Sequence, residues 1–113
     1  MSRFNGKSVL ITGGSGGMGR VIAKGFLQEG AQVLLADIDE TKLAEVTSEL
    51  SALGAVSRIL TDVTKPDQCK RAVEAAVERH GRLDMLVNGA GVWVEGPAET
   101  VTEAEWDRTV DIN

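Results

Sequence analysis

The chain has 113 residues, with 17 acidic and 12 basic side chains for a net charge of -5, one cysteine, one histidine and no tyrosine. That length suits one domain able to bury roughly 65% of its unfolded surface, and basic residues scattered singly over an acidic background give no electrostatic footprint for nucleic acid. A single cysteine excludes an internal disulfide, a single histidine leaves few options for a metal, and no apolar run approaches the ~20 residues of a membrane-spanning helix, so the chain reads as a cytoplasmic protein with no signal peptide.

Taken in order, extended and helical patterns alternate with little slack. The apolar run Ser8-Val9-Leu10-Ile11 reads as a strand, followed by the glycine-rich octamer Thr12 to Gly19 and a helical pattern opening at Arg20-Val21-Ile22-Ala23 and ending at Gly30. Gln32 to Asp37 reads as a second strand, and Leu43, Val46, Leu50 and Leu53 then recur at helical spacing until Gly54. Gly30, Gly54 and Gly81 all stand where a left-handed helix cap is wanted. Val56 to Leu60 reads as a third strand. Thr64 and Asp67 resemble a capping box with Pro66 in the first turn, and the helix that follows shows Cys69, Ala72, Val73, Ala76 and Val77 on one face. Cys69 reads as a small core residue and His80 as a helix-end residue suited to the negative end of the dipole. On one helix they would lie about 16 Å apart along the axis, too far to share an ion. A fourth strand, Met85 to Asn88, leads into a longer loop, Gly89 to Thr100. Thr102 and Glu105 open a last helix whose apolar stripe carries Trp106, Val110 and Asn113.

Four β-α units of this kind require parallel strands with helices on both faces, an open α/β doubly wound sheet with no linker to a second domain. The octamer sits between strand and helix, where glycines turn the chain sharply, let a diphosphate approach the backbone and pack the helix on the strand. The helix start then offers amides to an anion. A P-loop is excluded, because Gly19 is followed by Arg20-Val21 and not by Lys and Ser or Thr. Asp37 ends the second strand 18 residues after Gly19, the spacing of the dinucleotide fingerprint. Its carboxylate can accept from both hydroxyls of an adenosine ribose and would repel a 2′-phosphate, which favours NAD over NADP. The competing role for Asp37, or for Asp39, is to cap the next helix.

Two registers fit the octamer: Gly14, Gly16 and Gly19 match G-x-G-x-x-G, while Thr12, Gly13, Gly17 and Gly19 match T-G-x-x-x-G-x-G. With Asp62-Val63 after the third strand, Asn88-Gly89-Ala90-Gly91 after the fourth, and Trp106 to Asn113 at the end, the chain resembles the short-chain dehydrogenase/reductases in the second form. The resemblance implies a Rossmann-like sheet of order 3-2-1-4 and a dinucleotide-binding domain over residues 1–113. It implies cofactor contacts from Gly13, Ser15, Gly17, Met18 and Gly19. Asp62 and Val63 would meet the adenine, by carboxylate and backbone, while Asn88, Ala90 and Gly91 would line the nicotinamide side. Gly89 departs from the family's second Asn and removes one backbone tether. Gly16 and Ile38 stand where NADP-preferring members often carry a basic side chain. Asn113 would belong to the catalytic group, holding a water in the proton relay.

The family's chemistry passes a hydride between nicotinamide and an alcohol or ketone carbon, using a Tyr, a Lys and a Ser. Neither that Tyr nor the Ser expected after Asn113 is in the chain. The expectation is therefore the amino-terminal, truncated portion of an NAD-dependent oxidoreductase, which binds NAD without turnover and whose intact form acts on a small-molecule alcohol or ketone. The fourth strand is expected to be a sheet edge, predicting a homo-oligomer or pairing with a C-terminal segment. The alternative expectation is a non-catalytic nucleotide-binding or self-associating half-fold module.

Overall fold

The computed structural model describes residues 4–13, 16–88 and, as backbone, 93–95. In chain order the elements are β1 (Ser8–Thr12), α1 (Gly17–Gln28), β2 (Gln32–Asp37), α2 (Glu40–Leu50), β3 (Val56–Leu60), α3 (Pro66–His80), β4 (Met85–Asn88) and β5 (Trp93–Glu95). One sheet contains all five strands in the order β3-β2-β1-β4-β5. The first four are parallel in the expected 3-2-1-4 arrangement. β5 adds to it, pairing antiparallel with β4 through Met85↔Glu95, Leu86↔Val94 and Val87↔Trp93. The expectation that β4 forms the edge is corrected: a strand from within the expected loop satisfies its backbone, and among the described residues the outer strands are β3 and β5.

Alternation along the strands divides the core between the two faces. Val9, Ile11, Val33, Leu35 and Val87 pack with Ala23, Phe26 and Leu27 of α1 and with Leu43, Val46 and Leu50 of α2. Leu10, Leu34, Ala36 and Leu86 face Cys69, Ala72 and Ala76 of α3. Period-two side-chain direction alone puts α1 and α2 on one side and α3 on the other. β1 is buried throughout, as a central strand covered on both faces must be.

Two of the three glycine stops hold. Gly30 has φ 88°, with its N–H donating to Leu27 O at 3.1 Å and the Ala31 N–H to Phe26 O at 3.0 Å, a Schellman closure of α1. Gly81, at φ 80°, ends α3 with its N–H on Val77 O at 2.8 Å. Gly54 has an almost fully extended φ of 159° and caps nothing, since α2 ends four residues earlier at Leu50. Leu53 lies beyond that helix and is 39% exposed, outside the stripe assigned to it.

Three further boundaries differ from expectation. α1 begins at Gly17 and not at Arg20, because Gly16 in extended conformation serves as N-cap and its carbonyl accepts from the Arg20 N–H at 2.9 Å. Met18 and Gly19 therefore belong to the first turn. α3 is capped by Lys65 with Pro66 first in the helix, and no side chain bonds its amides. The Thr64 hydroxyl donates to Asp62 Oδ1 at 2.6 Å, so the Thr64–Asp67 capping box does not form. Val77, placed on the apolar face, is 45% exposed near the end of α3.

At the amino edge of the sheet a polar knot ties the end of α3 to β1. Ser8 Oγ and His80 Nδ1 lie 2.6 Å apart. Ser8 N–H donates to Asp84 Oδ2 at 2.9 Å, the Asp84 N–H returns to Ser8 O at 2.9 Å, and Arg82 Nη2 meets Asp84 Oδ1 at 2.6 Å. Burial, reinforced by Arg79, holds the His80 pKa below its ordinary value. The histidine is at the helix end as expected, but its surroundings disfavour the cation that would suit the dipole.

Candidate functional site

The opposite, carboxyl edge is where the loops gather. Register pairs Thr12 with Ala36 and with Asn88, and Asp37 with Leu60, so the four parallel strands finish level. After β1 the chain leaves toward β2, and from α3 it returns on the other flank of β1, at β4. The crevice outside β1 is thus a topological switch point.

Gly13 makes the turn out of β1 at φ 68°, and its carbonyl accepts from the Gly16 N–H at 3.1 Å. A Cβ on Gly16 would touch Gly13 O at 3.4 Å, whereas one on Gly17 would meet nothing within 4 Å. Gly19 is buried and lets α1 sit close to the sheet. The N-cap of α1 is a glycine, and its first turn carries no acidic residue. α2 is different: Asp39 Oδ1 accepts from the Lys42 N–H at 3.0 Å. The start of α2 is met by a carboxylate of its own chain, while the start of α1 has no side-chain cap and no acidic residue in its first turn, the condition under which a helix start can receive an anion.

Across β1 and β2 from that turn, Asp37 ends β2, and its Oδ1 accepts from the Ile38 N–H at 2.7 Å and the Asp39 N–H at 3.3 Å. Asp39, not Asp37, caps α2. Two successive amides therefore orient the Asp37 carboxylate at the strand tip, outside the helix-capping role. Met18, Ile38 and Leu60, at the start of α1, after β2 and at the end of β3, are 65%, 65% and 54% exposed. The same edge thus combines polar groups with large apolar side chains, the mixture of a small-molecule site.

The loop after β3 supplies the next group. Asp62 Oδ1 accepts from the Thr64 hydroxyl at 2.6 Å and from its N–H at 3.0 Å. The hydroxyl bond first, then the amide bond, with the charge of Lys65, hold the carboxyl below its usual range against a small opposing effect of burial. Asp62 is an ionised, acceptor-only group at neutral pH. Its carbonyl accepts from the Lys65 N–H at 3.0 Å. In a trans peptide the following N–H points the opposite way, so the Val63 N–H faces away from the start of α3. The loop thus offers one ionised acceptor and one backbone donor.

Asn88 is 8% exposed at the tip of β4, opposite Thr12, whose hydroxyl donates to Val87 O at 3.4 Å. The structure thus brings Gly13, Gly17, Met18, Gly19, Asp37, Asp62, Val63 and Asn88 to one edge. Ser15, Ala90, Gly91 and Asn113 lie outside the described residues, as do Thr102, Glu105, Trp106 and Val110. Sequence reasoning missed Thr64, Gln68 and the Ile38 and Asp39 amides, all of which hold site groups. A polar residue in the first helical turn after Asp62 was the available signal for Gln68. Among the described residues no cluster of His, Cys, Asp or Glu is placed to hold a metal ion, and no helix is long and apolar enough to cross a membrane.

Strand order and the glycine turn after β1 make this a Rossmann-like α/β fold. Within that class the chain belongs to the short chain dehydrogenases, whose family model matches residues 7–113. It is 40% identical to a (5R,7aS)-5-hydroxy-7a-methyl-1-oxo-2,3,5,6,7,7a-hexahydro-1H-indene-carboxyl-CoA reductase of Mycobacterium tuberculosis, covering 97% of this chain and 43% of that one. The fold is similar to a solved short chain dehydrogenase of Mycobacterium smegmatis with a TM-score of 0.77 at 36% identity, covering 99% of this chain and 50% of that one. The chain spans about half the length of these relatives or less. The family uses nicotinamide cofactors of both kinds. A Burkholderia phymatum member solved with NAD is 38% identical, at a TM-score of 0.71 over 76% of this chain and 31% of that one. Pseudomonas aeruginosa RhlG, solved with NADP, is 37% identical, at a TM-score of 0.70 over 77% and 35%.

Proposed function

We propose that the chain forms the NAD(H)-binding part of an oxidoreductase that moves a hydride between nicotinamide and an alcohol or ketone carbon of a small molecule. The observation that carries this reading is the Asp37 carboxylate, oriented by the Ile38 and Asp39 amides at the tip of β2 and one strand away from the uncapped start of α1. A ribose with two free hydroxyls can donate to that carboxylate, whereas a 2′-phosphate would meet like charge. The amides of Gly17, Met18 and Gly19, with Gly13 and Ser15 in the turn, would hold the diphosphate. Asp62 and the Val63 backbone would read the adenine, and Asn88, Ala90 and Gly91 would border the nicotinamide.

When bound, the cofactor supplies the hydride acceptor or donor; the chain binds, orients and excludes water. Asn113 is assigned to the proton relay on family resemblance. These 113 residues contain no tyrosine to carry the proton, so by themselves they should bind the cofactor without turnover.

Titration with NADH and NADPH, read by nicotinamide fluorescence, tests the reading. NADH should bind more tightly, and Asp37→Ala should weaken NADH by roughly 1–3 kcal/mol, the value of hydrogen bonds to a charged group, while barely affecting NADPH. Equal affinity for the two in the parent chain would overturn the assignment of Asp37.

A further inference from the structure

The loop between β3 and α3 carries two groups of the proposed adenine site, yet it is only five residues long and lies at the sheet edge. Something must fix its backbone. Its first residue is tied to β2, since the Thr61 N–H donates to Asp37 O at 2.7 Å. The next two are tied to α3 by side chains. The Asp62 N–H donates to Gln68 Oε1 at 2.7 Å, and Cys69 Sγ donates to Val63 O at 3.3 Å. Gln68 is half-buried and Cys69 fully buried in the α3 layer, so both anchors stand on a rigid element.

These two bonds decide which way the loop's remaining groups face. With the Asp62 N–H and the Val63 carbonyl drawn toward α3, the Asp62 carbonyl taken by Lys65 and Asp62 Oδ1 by Thr64, the second carboxylate oxygen and the Val63 N–H are left for the crevice.

We propose that Gln68, with Cys69 as a secondary anchor, is the positioning residue for the adenine end of the cofactor site; this rests on the cofactor reading given above. Gln68 acts through the Asp62 backbone, holding the carboxylate and the Val63 amide at the spacing of an adenine edge. Removing its acceptor frees the loop to rotate and costs affinity only for ligands that carry adenine.

The test compares NADH with reduced nicotinamide mononucleotide, which lacks the adenosine half, in the full-length polypeptide. Gln68→Met keeps side-chain length and removes the strong acceptor. It should weaken NADH about tenfold, the upper range for one hydrogen bond, leave the mononucleotide unchanged and melt close to the parent. Gln68→Glu retains an acceptor oxygen and should recover most of the loss, and Cys69→Ala should show a smaller effect of the same kind. If Gln68→Met does not fold, Gln68→Ala removes the same acceptor and carries the same expectation. Parent-like NADH affinity in the acceptor-free variant, or equal weakening of both ligands, would overturn the inference. Asp62→Ala separates the two levels: if it weakens NADH while Gln68→Met does not, the positioning role falls and the adenine site stands. If neither does, or the parent binds both ligands equally, both fall.

Discussion

Gly17 is the first residue of α1, its φ is not positive, and an added methyl group would meet nothing within 4 Å. The fold gives no reason for glycine there, since alanine is the better helix former. Gly25, exposed later in the same helix, is equally open but far along α1 from the crevice. The two therefore form a matched pair. Gly25→Ala should raise stability by about 0.5–1 kcal/mol and leave NADH binding alone. Gly17→Ala should not lower the melting temperature, yet should weaken NADH by an order of magnitude or more, because its Cβ intrudes where a diphosphate approaches. Parent-like binding by Gly17→Ala would remove the diphosphate from that position. His80 supplies a prediction of a different kind. Its folded pKa lies below the ordinary 6.5 through burial and Arg79, so the unfolded chain takes up the proton first as pH falls. Its contribution is complete above about pH 6.5 and is lost progressively below it. Thermal melts from pH 8 to 5 should show that decline, and His80→Gln should flatten it; an unchanged slope would place the titration elsewhere.

At the scale of elements, the contrast between the starts of α1 and α2 at the carboxyl edge matters most. Asp39 caps α2 with its own carboxylate, so Asp39→Ala should cost about 1 kcal/mol in urea unfolding. No comparable loss is available at α1, whose N-cap is Gly16. NADH affinity should change little in Asp39→Ala, and a large loss would shift the ribose carboxylate from Asp37 to Asp39. This pair also shows what sequence could and could not convey. The limits of β2 and β4 were legible because continuous apolar runs ended at Asp37 and Asn88, and the stop of α1 at Gly30 because only glycine takes φ 88° cheaply. The start of α1 was not legible, since Gly17-Met18-Gly19 has the composition of a loop and becomes helical only by packing Gly19 against the sheet. The capping box at Thr64 failed because Asp62, two residues earlier, competes for the same hydroxyl. Spacing singled out Asp37 and the glycines as candidates, and the family resemblance added Asp62. Gln68 left a weaker sign, a polar residue in the first turn of α3, because its partner is the backbone amide of Asp62 and no side-chain pattern marks that pairing.

Among the described residues the sheet is clad unequally on its two faces. On the side of α1 and α2 the helices contribute Phe26, Leu27, Leu43, Val46 and Leu50 to the core. On the other side α3 offers only Cys69, Ala72 and Ala76 as fully buried residues. Small helix residues allow α3 to lie close to the sheet, and its first turn, directly after the Asp62–Val63 loop, carries Gln68 and Cys69. The volume between α3 and the sheet is then filled mainly from the sheet, by Leu10, Leu34 and Leu86. Leu34 is completely buried at the centre of β2, and no long neighbour on α3 can swing in to replace it. Leu34→Ala should therefore cost about 2–5 kcal/mol, with little relaxation of the cavity, a large share of the roughly 5–15 kcal/mol of a typical domain. Leu60→Ala, at the exposed tip of the outer strand β3 and 54% accessible, should change stability by no more than about 0.5 kcal/mol. Urea denaturation of both variants measures the difference. Near-equal losses would mean that the α3 layer is not the close-packed wall from which Gln68 holds the Asp62 N–H, and the weakened NADH binding expected of Gln68→Met would then need another cause.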